Sequence, residues 1–329
     1  MQKKLLFSLV ILAGTASLSC EDHRFEAPAS LKVTPFAENF VTPIGLESDS
    51  KGRIWVAEGG TGHNDGRLSV ILPDGKTYPV ITNFESALEG NEVDGLNHLM
   101  EYDGKLYILG PQGHIYIADV LGMTTFGTTT EAKSLTMIDI GDWIKKHNFT
   151  VDTEMSHAYN LSIGEDGDLF IADAAANAII RRKKIGGELS VFAEIPGVTS
   201  TMPPAESVPT AVVYNGTHYY VSTLLGYPFP ADSARIYTLD KTGKILSFKK
   251  GYSSLVDLEL NTNSGLLALE LGKFGAMGPM PGTGRLSRVT STESTVILDH
   301  LVLPTDLEKA DDHTYYMSSL TGTVSKITF

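Results

Sequence analysis

The chain has 329 residues and a formal net charge of −13 at pH 7, from 26 Lys and Arg against 39 Asp and Glu. That balance argues against nucleic acid as a partner, because affinity for phosphate backbones needs clustered cations. The only basic run, Arg181 to Lys184, reads as a solvated strand edge. With Cys20 as its single cysteine, the chain cannot form an internal disulfide.

In chain order, residues 1–20 read as a targeting segment. Lys3 and Lys4 precede the apolar run LLFSLVILAG, which is too short to span a bilayer, and small residues lead to Cys20. The ending SLSC resembles a bacterial lipobox, so Cys20 is expected to carry lipid and to anchor the protein in a membrane. Residues 21–30, EDHRFEAPAS, are polar, acidic and proline-bearing, as a flexible tether would be. Acidic residues directly after the cysteine point to the outer membrane or cell surface of a bacterial envelope rather than the free periplasm.

From residue 31 to 329 the sequence repeats. Six apolar and aromatic runs, RIWVAE, KLYILG, DLFIAD, HYYVST, LLALE and TYYMSS, recur at roughly 50-residue intervals. Each follows a second apolar stretch and a tip rich in Asp, Asn or Gly, as in PIGLESDSKGRIWVAE. These tip residues tolerate positive φ, which hairpins require. Third and fourth strands can be read after most copies, for example in ARIYTLDKTGKILSFKK. Six four-stranded units predict an all-β fold, a six-bladed β-propeller. The last unit is too short for a whole blade, so LKVTPFAENF is expected to supply its outer strand and close the ring. Helical periodicity is confined to IDIGDWIKKHN, a short insertion after blade two.

Chemistry is expected where the blades converge. Aligned by spacing, the inner strands begin at Gly45, Asn97, Asn160, Ala211, Asp257 and Asp306, and four of these carry short oxygen-bearing side chains. Oxygen donors converging on an axis suit a hard cation such as Ca²⁺. Asn and Asp also cap loose backbone groups where strands leave turns, which is the alternative. A second ring falls at the ends of the aromatic strands, at Glu58, Gly110, Asp173, Thr223, Glu270 and Ser319. The metal candidates are therefore Asn97, Asn160, Asp257, Asp306 and Glu58. The loops beyond the second ring are unequal: GGTGHNDG, the stretch from Gly110 to Ser134, LLGYPFPADSA and LGKFGAMGPMPGTG. Loops on a rigid scaffold carry function. Tyr227, Phe229, Phe274, His157, Asp173 and Glu270 are the ligand-binding candidates, with Tyr227, Phe229 and Phe274 placing apolar area over an acidic mouth. His98 is expected to pack between blades, pointing away from the face of Asn97. No catalytic residue can be assigned.

Blade one's PIGLESDSKGRIWVAEGGTGHNDGRL, the SHAYNLSIGEDGDLFIADAAANAIIR run and VPTAVVYNGTHYYVSTLLGYPFPADSARIYTLD resemble the ScyD/ScyE family of secreted propellers. The resemblance covers essentially all of residues 40–329, and GYPFP followed by ARIY is its most specific piece. It implies a TolB-like, six-bladed propeller outside the cytoplasm and no established activity. More distantly, the repeats are similar to NHL, strictosidine-synthase-like and gluconolactonase or paraoxonase propellers. Those hydrolases imply a catalytic calcium, matched in position by Asn97, Asn160 and Asp257, although Gly45 stands where they usually have a glutamate. Two functions are thus expected as alternatives: an envelope-anchored binding protein for a small molecule or protein partner, or a calcium-dependent hydrolase of lactones or esters.

Overall fold

A computed structural model describes residues 31–329 except Asn91 and residues 262–264. The expected signal segment, Cys20 and the expected tether lie outside the described residues. Each repeat forms one antiparallel blade whose strands follow one another outward. The six inner strands are Pro43–Ser48, Leu99–Tyr102, Ala158–Ile163, Pro209–Tyr214, Leu255–Leu260 and Pro304–Asp311. Their aromatic partners are Ile54–Glu58, Lys105–Leu109, Leu169–Asp173, Tyr219–Thr223, Leu266–Glu270 and Thr314–Ser319. The fold is a six-bladed β-propeller. Among the described residues no helix is long and apolar enough to cross a membrane.

The core is divided into six clusters, one at each interface between neighbouring blades. Trp55, Ala57 and Leu68 of blade one meet Leu99, Leu106 and Ile108 of blade two, whereas Ile54 and Val56 meet Tyr316 and Val324 of blade six. Alternate residues of one strand therefore enter two different cores. This explains why the aromatic strands are apolar at both parities: every residue of Ile54–Glu58 and Leu266–Glu270 is buried. A strand packed on both faces cannot show the alternation of a half-solvated sheet.

The strand Lys32–Glu38 pairs antiparallel with Thr323–Thr328, from Lys32 opposite Thr328 to Glu38 opposite Thr323. The fourth strand of blade six thus comes from the N-terminal side of blade one, and the ring is joined by backbone hydrogen bonds. In blade two the third strand, His114–Ala118, begins directly after a single turn at Pro111–Gly113. The long stretch from Gly110 to Ser134 is therefore mostly a connection from the third to the fourth strand, Thr136–Asp139, and leaves the face that carries the second ring. It crosses onto blade one, where Thr130–Glu131 pairs with Thr77–Phe84. There the carbonyls of Leu121 and Met123 accept from the buried guanidinium of Arg53 at 2.8 and 2.7 Å. The helical stretch forms one turn, Gly141–Ile144, with Ile140, Ile144 and Phe149 sunk between blades two and three.

Removal of residues up to Glu38 exposes the edge of Thr323–Thr328, and unpaired edges recruit other chains. The truncated protein should lose its cooperative melting transition or elute as oligomers in size-exclusion chromatography. A monomer with an unchanged melting temperature would show that the first strand is dispensable.

Candidate functional site

Five inner strands share one irregularity. The pairing register skips a residue between Pro43 and Gly45, Ala158 and Asn160, Pro209 and Ala211, Leu255 and Asp257, and Pro304 and Asp306. A β-bulge at that point re-aims the next side chain. Blade two has the same arrangement one residue later than spacing suggests. Asn97 N–H donates to the Leu109 carbonyl and Leu109 N–H donates to the carbonyl of His98. His98, not Asn97, is thus the counterpart of Gly45, Asn160, Ala211, Asp257 and Asp306. The reason is the hairpin of blade two, one residue shorter than those of blades one and three and closed by Asp103 and Gly104 at φ 55° and 75°.

These six positions converge on the axis. His98 Nε2 lies 3.6 Å from Asp306 Oδ1, across the inner strand of blade one, and Asn160 Nδ2 donates to Asp257 Oδ1 at 3.1 Å, across that of blade four. Both contacts reach past a small residue, Gly45 or Ala211. A Cβ at Gly45 would stand 2.6 Å from His98 Cα and 2.8 Å from the Asn97 carbonyl oxygen, so no other residue fits without moving backbone. The carboxylates also satisfy free backbone groups of the next blade. Leu46 N–H donates to Asp306 Oδ2 at 2.5 Å and Leu307 N–H to Asp257 Oδ2 at 3.2 Å.

Two residues further along the same strands, Glu47, Glu259 and Glu308 form a second acidic tier. Glu308 accepts from both the backbone and the hydroxyl of Ser48, at 2.9 and 2.7 Å. Burial, then mutual repulsion, holds all these carboxyls above their ordinary range. Asp306 and Glu308 each titrate at about 7, and Asp257, Glu47 and Glu259 are raised well above normal. Within the Asp257–Asp306 pair the rise at Asp257 comes from burial and then from the charge of Asp306. Burial lowers His98 despite the attraction of Asp257, and it raises Tyr159, whose hydroxyl is lifted further by Asp306 and Asp257. His98, Asp257 and Asp306 bring ligand atoms within 4.8 Å of one another, a set that could hold a metal ion.

The second ring belongs to the scaffold. Glu58 accepts from Val41 N–H at 2.7 Å, Arg67 Nε at 2.7 Å and Ser69 Oγ at 2.5 Å. Asp173 accepts from His157 N–H at 3.1 Å and Ser156 Oγ at 2.5 Å, and Glu270 from Ser253 N–H at 2.6 Å and Arg285 at 2.8 Å. All three carboxylates are sealed from solvent and tie the start of their own inner strand to the end of its partner. Glu58 therefore does not join the axial donors, and Asp173 and Glu270 do not face a ligand. Asn97 occupies the bulge, where Nδ2 donates to the Ala158 carbonyl of blade three at 3.1 Å. Thr210 and Thr305, the bulge residues of blades four and six, make the same bond to Leu255 and Pro43.

The loop candidates lie elsewhere. Phe229 and Phe274 stack at 4.2 Å with rings nearly parallel, and Tyr227 meets Phe229 edge-on at 6.3 Å. Tyr227 is 70 % exposed and Met277, on the same loop as Phe274, is 97 % exposed. His157 is partly open, with Nδ1 3.7 Å from Asp94 Oδ1. The residues that sequence spacing missed are His98, Tyr159 and the glutamate tier. A signal for the tier exists: the tripeptides Gly45-Leu-Glu47, Asp257-Leu-Glu259 and Asp306-Leu-Glu308 repeat at equivalent places.

No protein-family model matches the chain, and no curated protein does. Solved structures with the same architecture do. A catalytically inactive virginiamycin B lyase from Staphylococcus aureus, solved with quinupristin, is 16 % identical, with 91 % of this chain and 100 % of that one covered at a TM-score of 0.54. A gluconolactonase from Xanthomonas campestris is 9 % identical over 91 % and 89 % of the two chains, at 0.57. The PQQ-bound aldose sugar dehydrogenase of Streptomyces coelicolor is 10 % identical over 92 % and 99 %, at 0.58. Likeness at these identities defines the class, a six-bladed propeller, and leaves function to the site.

Two tests follow from the axial geometry. Gly45→Ala should destabilise the protein by about 1–3 kcal/mol in chemical denaturation, as overpacking against backbone does. In chelator-containing buffer, the raised carboxyls make the folded state hold more protons than the unfolded state between pH of about 4 and about 7. Stability should therefore be highest at the acid end of that window and fall as pH rises through about 7. Asp306→Asn should flatten the profile of melting temperature against pH.

Proposed function

We propose that this chain is an extracytoplasmic propeller, lipid-anchored through Cys20 to a bacterial envelope, that binds a small-molecule or protein partner at its loop-bearing face without chemistry. One observation carries the reading. The axial groups that chemistry would need, His98, Asp257 and Asp306, are 3–5 % exposed and bridge blades, whereas the loops of blades four and five present Tyr227 and Met277 to solvent beside an aromatic stack. Tyr227 and Met277 beside the Phe229–Phe274 stack offer the aromatic and flexible apolar surface that binding sites use. The ligand should therefore carry an apolar or aromatic group. The resemblance of GYPFP and ARIY to ScyD/ScyE propellers supports an extracytoplasmic setting for this binding role.

A calcium-dependent hydrolase of lactones or esters is the second reading, favoured by the convergence of Asp257, Asp306 and Asn160. A panel of lactones and aryl esters, assayed with calcium, separates the two. The expected result is no turnover above background. Turnover lost in Asp257→Asn would sink the binding reading. For the loop face, fluorescence of anilinonaphthalene sulfonate should rise on the native protein and drop at least about threefold for Tyr227→Ser combined with Met277→Ser, as expected where apolar area is removed from one patch.

A further inference from the structure

The bonds between blades leave two axial polar atoms over, Ser162 Oγ at the level of the glutamate tier and Nε2 of His98 at the level of the ring. The residue is 3 % exposed, and Nε2 has no hydrogen-bond partner among the described residues. It faces Asp306 Oδ1 at 3.6 Å, too far for a hydrogen bond, with Asp257 in the same cluster. The other ring nitrogen, Nδ1, lies 2.9 Å from the Tyr159 carbonyl oxygen. A carbonyl only accepts, so Nδ1 carries the hydrogen and Nε2 turns its lone pair toward two carboxylates. A cation standing between the three groups would satisfy that lone pair, and a backbone carbonyl on the far nitrogen is how metal-binding histidines are oriented.

We propose that His98 Nε2, Asp257 and Asp306 bind one first-row divalent transition-metal ion, zinc being the best match, which pins blades two, five and six together. An imidazole with two carboxylates suits zinc or manganese, whereas calcium takes six to eight oxygens. Atoms bonded to zinc at about 2.0–2.2 Å lie about 3.0–3.5 Å apart, so the His98–Asp306 pair at 3.6 Å needs only a slight contraction, and the three ligand atoms, all within 4.8 Å of one another, must draw together around the ion. The carboxylates are already oriented: Asp306 by Leu46 N–H, Asp257 by the Asn160 amide and Leu307 N–H. Burial of all three ligands leaves no opening for a substrate, so the ion is structural. The site shares its ring with the calcium-hydrolase reading and is independent of any ligand on the loops.

The test is elemental analysis of the purified protein after dialysis against zinc chloride and removal of excess ion, with melting curves in parallel. About one zinc per chain is expected, with a melting temperature lowered by EDTA and restored by zinc but not by calcium. His98→Gln keeps a side chain of similar reach. It should weaken zinc binding by more than about 100-fold, beyond the 10–100-fold of an outer-sphere change, and remove the response to EDTA. Asp306→Asn serves as the second variant, with the same loss expected. Substoichiometric zinc in folded native protein, a melting temperature indifferent to chelator, or a His98→Gln protein that keeps its zinc would each overturn the site. Stoichiometric calcium in place of zinc would overturn it too, and would return weight to the hydrolase reading.

Discussion

Every closed propeller has an inner edge, and here that edge dictates where the acidic groups go. The innermost strand of each blade has a neighbour on one side only, so its remaining N–H groups face the axis, where water is scarce. A buried donor left unpaired costs more than a hydrogen bond gains. The chain meets this demand with carboxylates from the adjoining blade, Asp306 to Leu46, Glu308 to Ser48 and Asp257 to Leu307. Concentrating acids there raises their proton affinity and leaves the cluster in need of positive charge. Axial electrostatics is thus a consequence of finishing the sheets.

The six blades are not equivalent once these bonds are followed. Bulge side chains of blades two, four and six, Asn97, Thr210 and Thr305, reach the carbonyls of Ala158, Leu255 and Pro43 in blades three, five and one. Blades one, three and five in turn carry the carboxylates Glu58, Asp173 and Glu270 that fasten their own inner strands. The ring is built from three pairs, each with a donor blade and a braced blade. Blades six and one form the pair that also contains the closing strand Lys32–Glu38, so the seam of the molecule is covered by both kinds of bond.

The fold was legible because both-face burial writes an unmistakable apolar run in every repeat and because hairpin tips need Asn, Asp or Gly. The axial ring was legible in five of its six members, Asn160, Asp257 and Asp306 with the silent Gly45 and Ala211. It failed at blade two, where a hairpin shortened by one residue moves the pairing and substitutes His98 for Asn97. A one-residue slip changes the face of every side chain, and only the partner strand reveals it. The second ring misled for a different reason. Acids that cap backbone and acids that bind ligands look alike in sequence, and the difference lies in the N–H groups of Val41, His157 and Ser253 that already occupy them.

The smallness of Gly45 and Ala211 has an effect on traffic through the molecule. Because Gly45 has no side chain and Ala211 only a methyl group, the contacts His98–Asp306 and Asn160–Asp257 lie side by side across the axis like two bars of a grating. Solutes on one side of the disc are cut off from the other at that level, whatever the loops do. A molecule captured on the loop-bearing face should therefore leave by that same face rather than pass the glutamate tier.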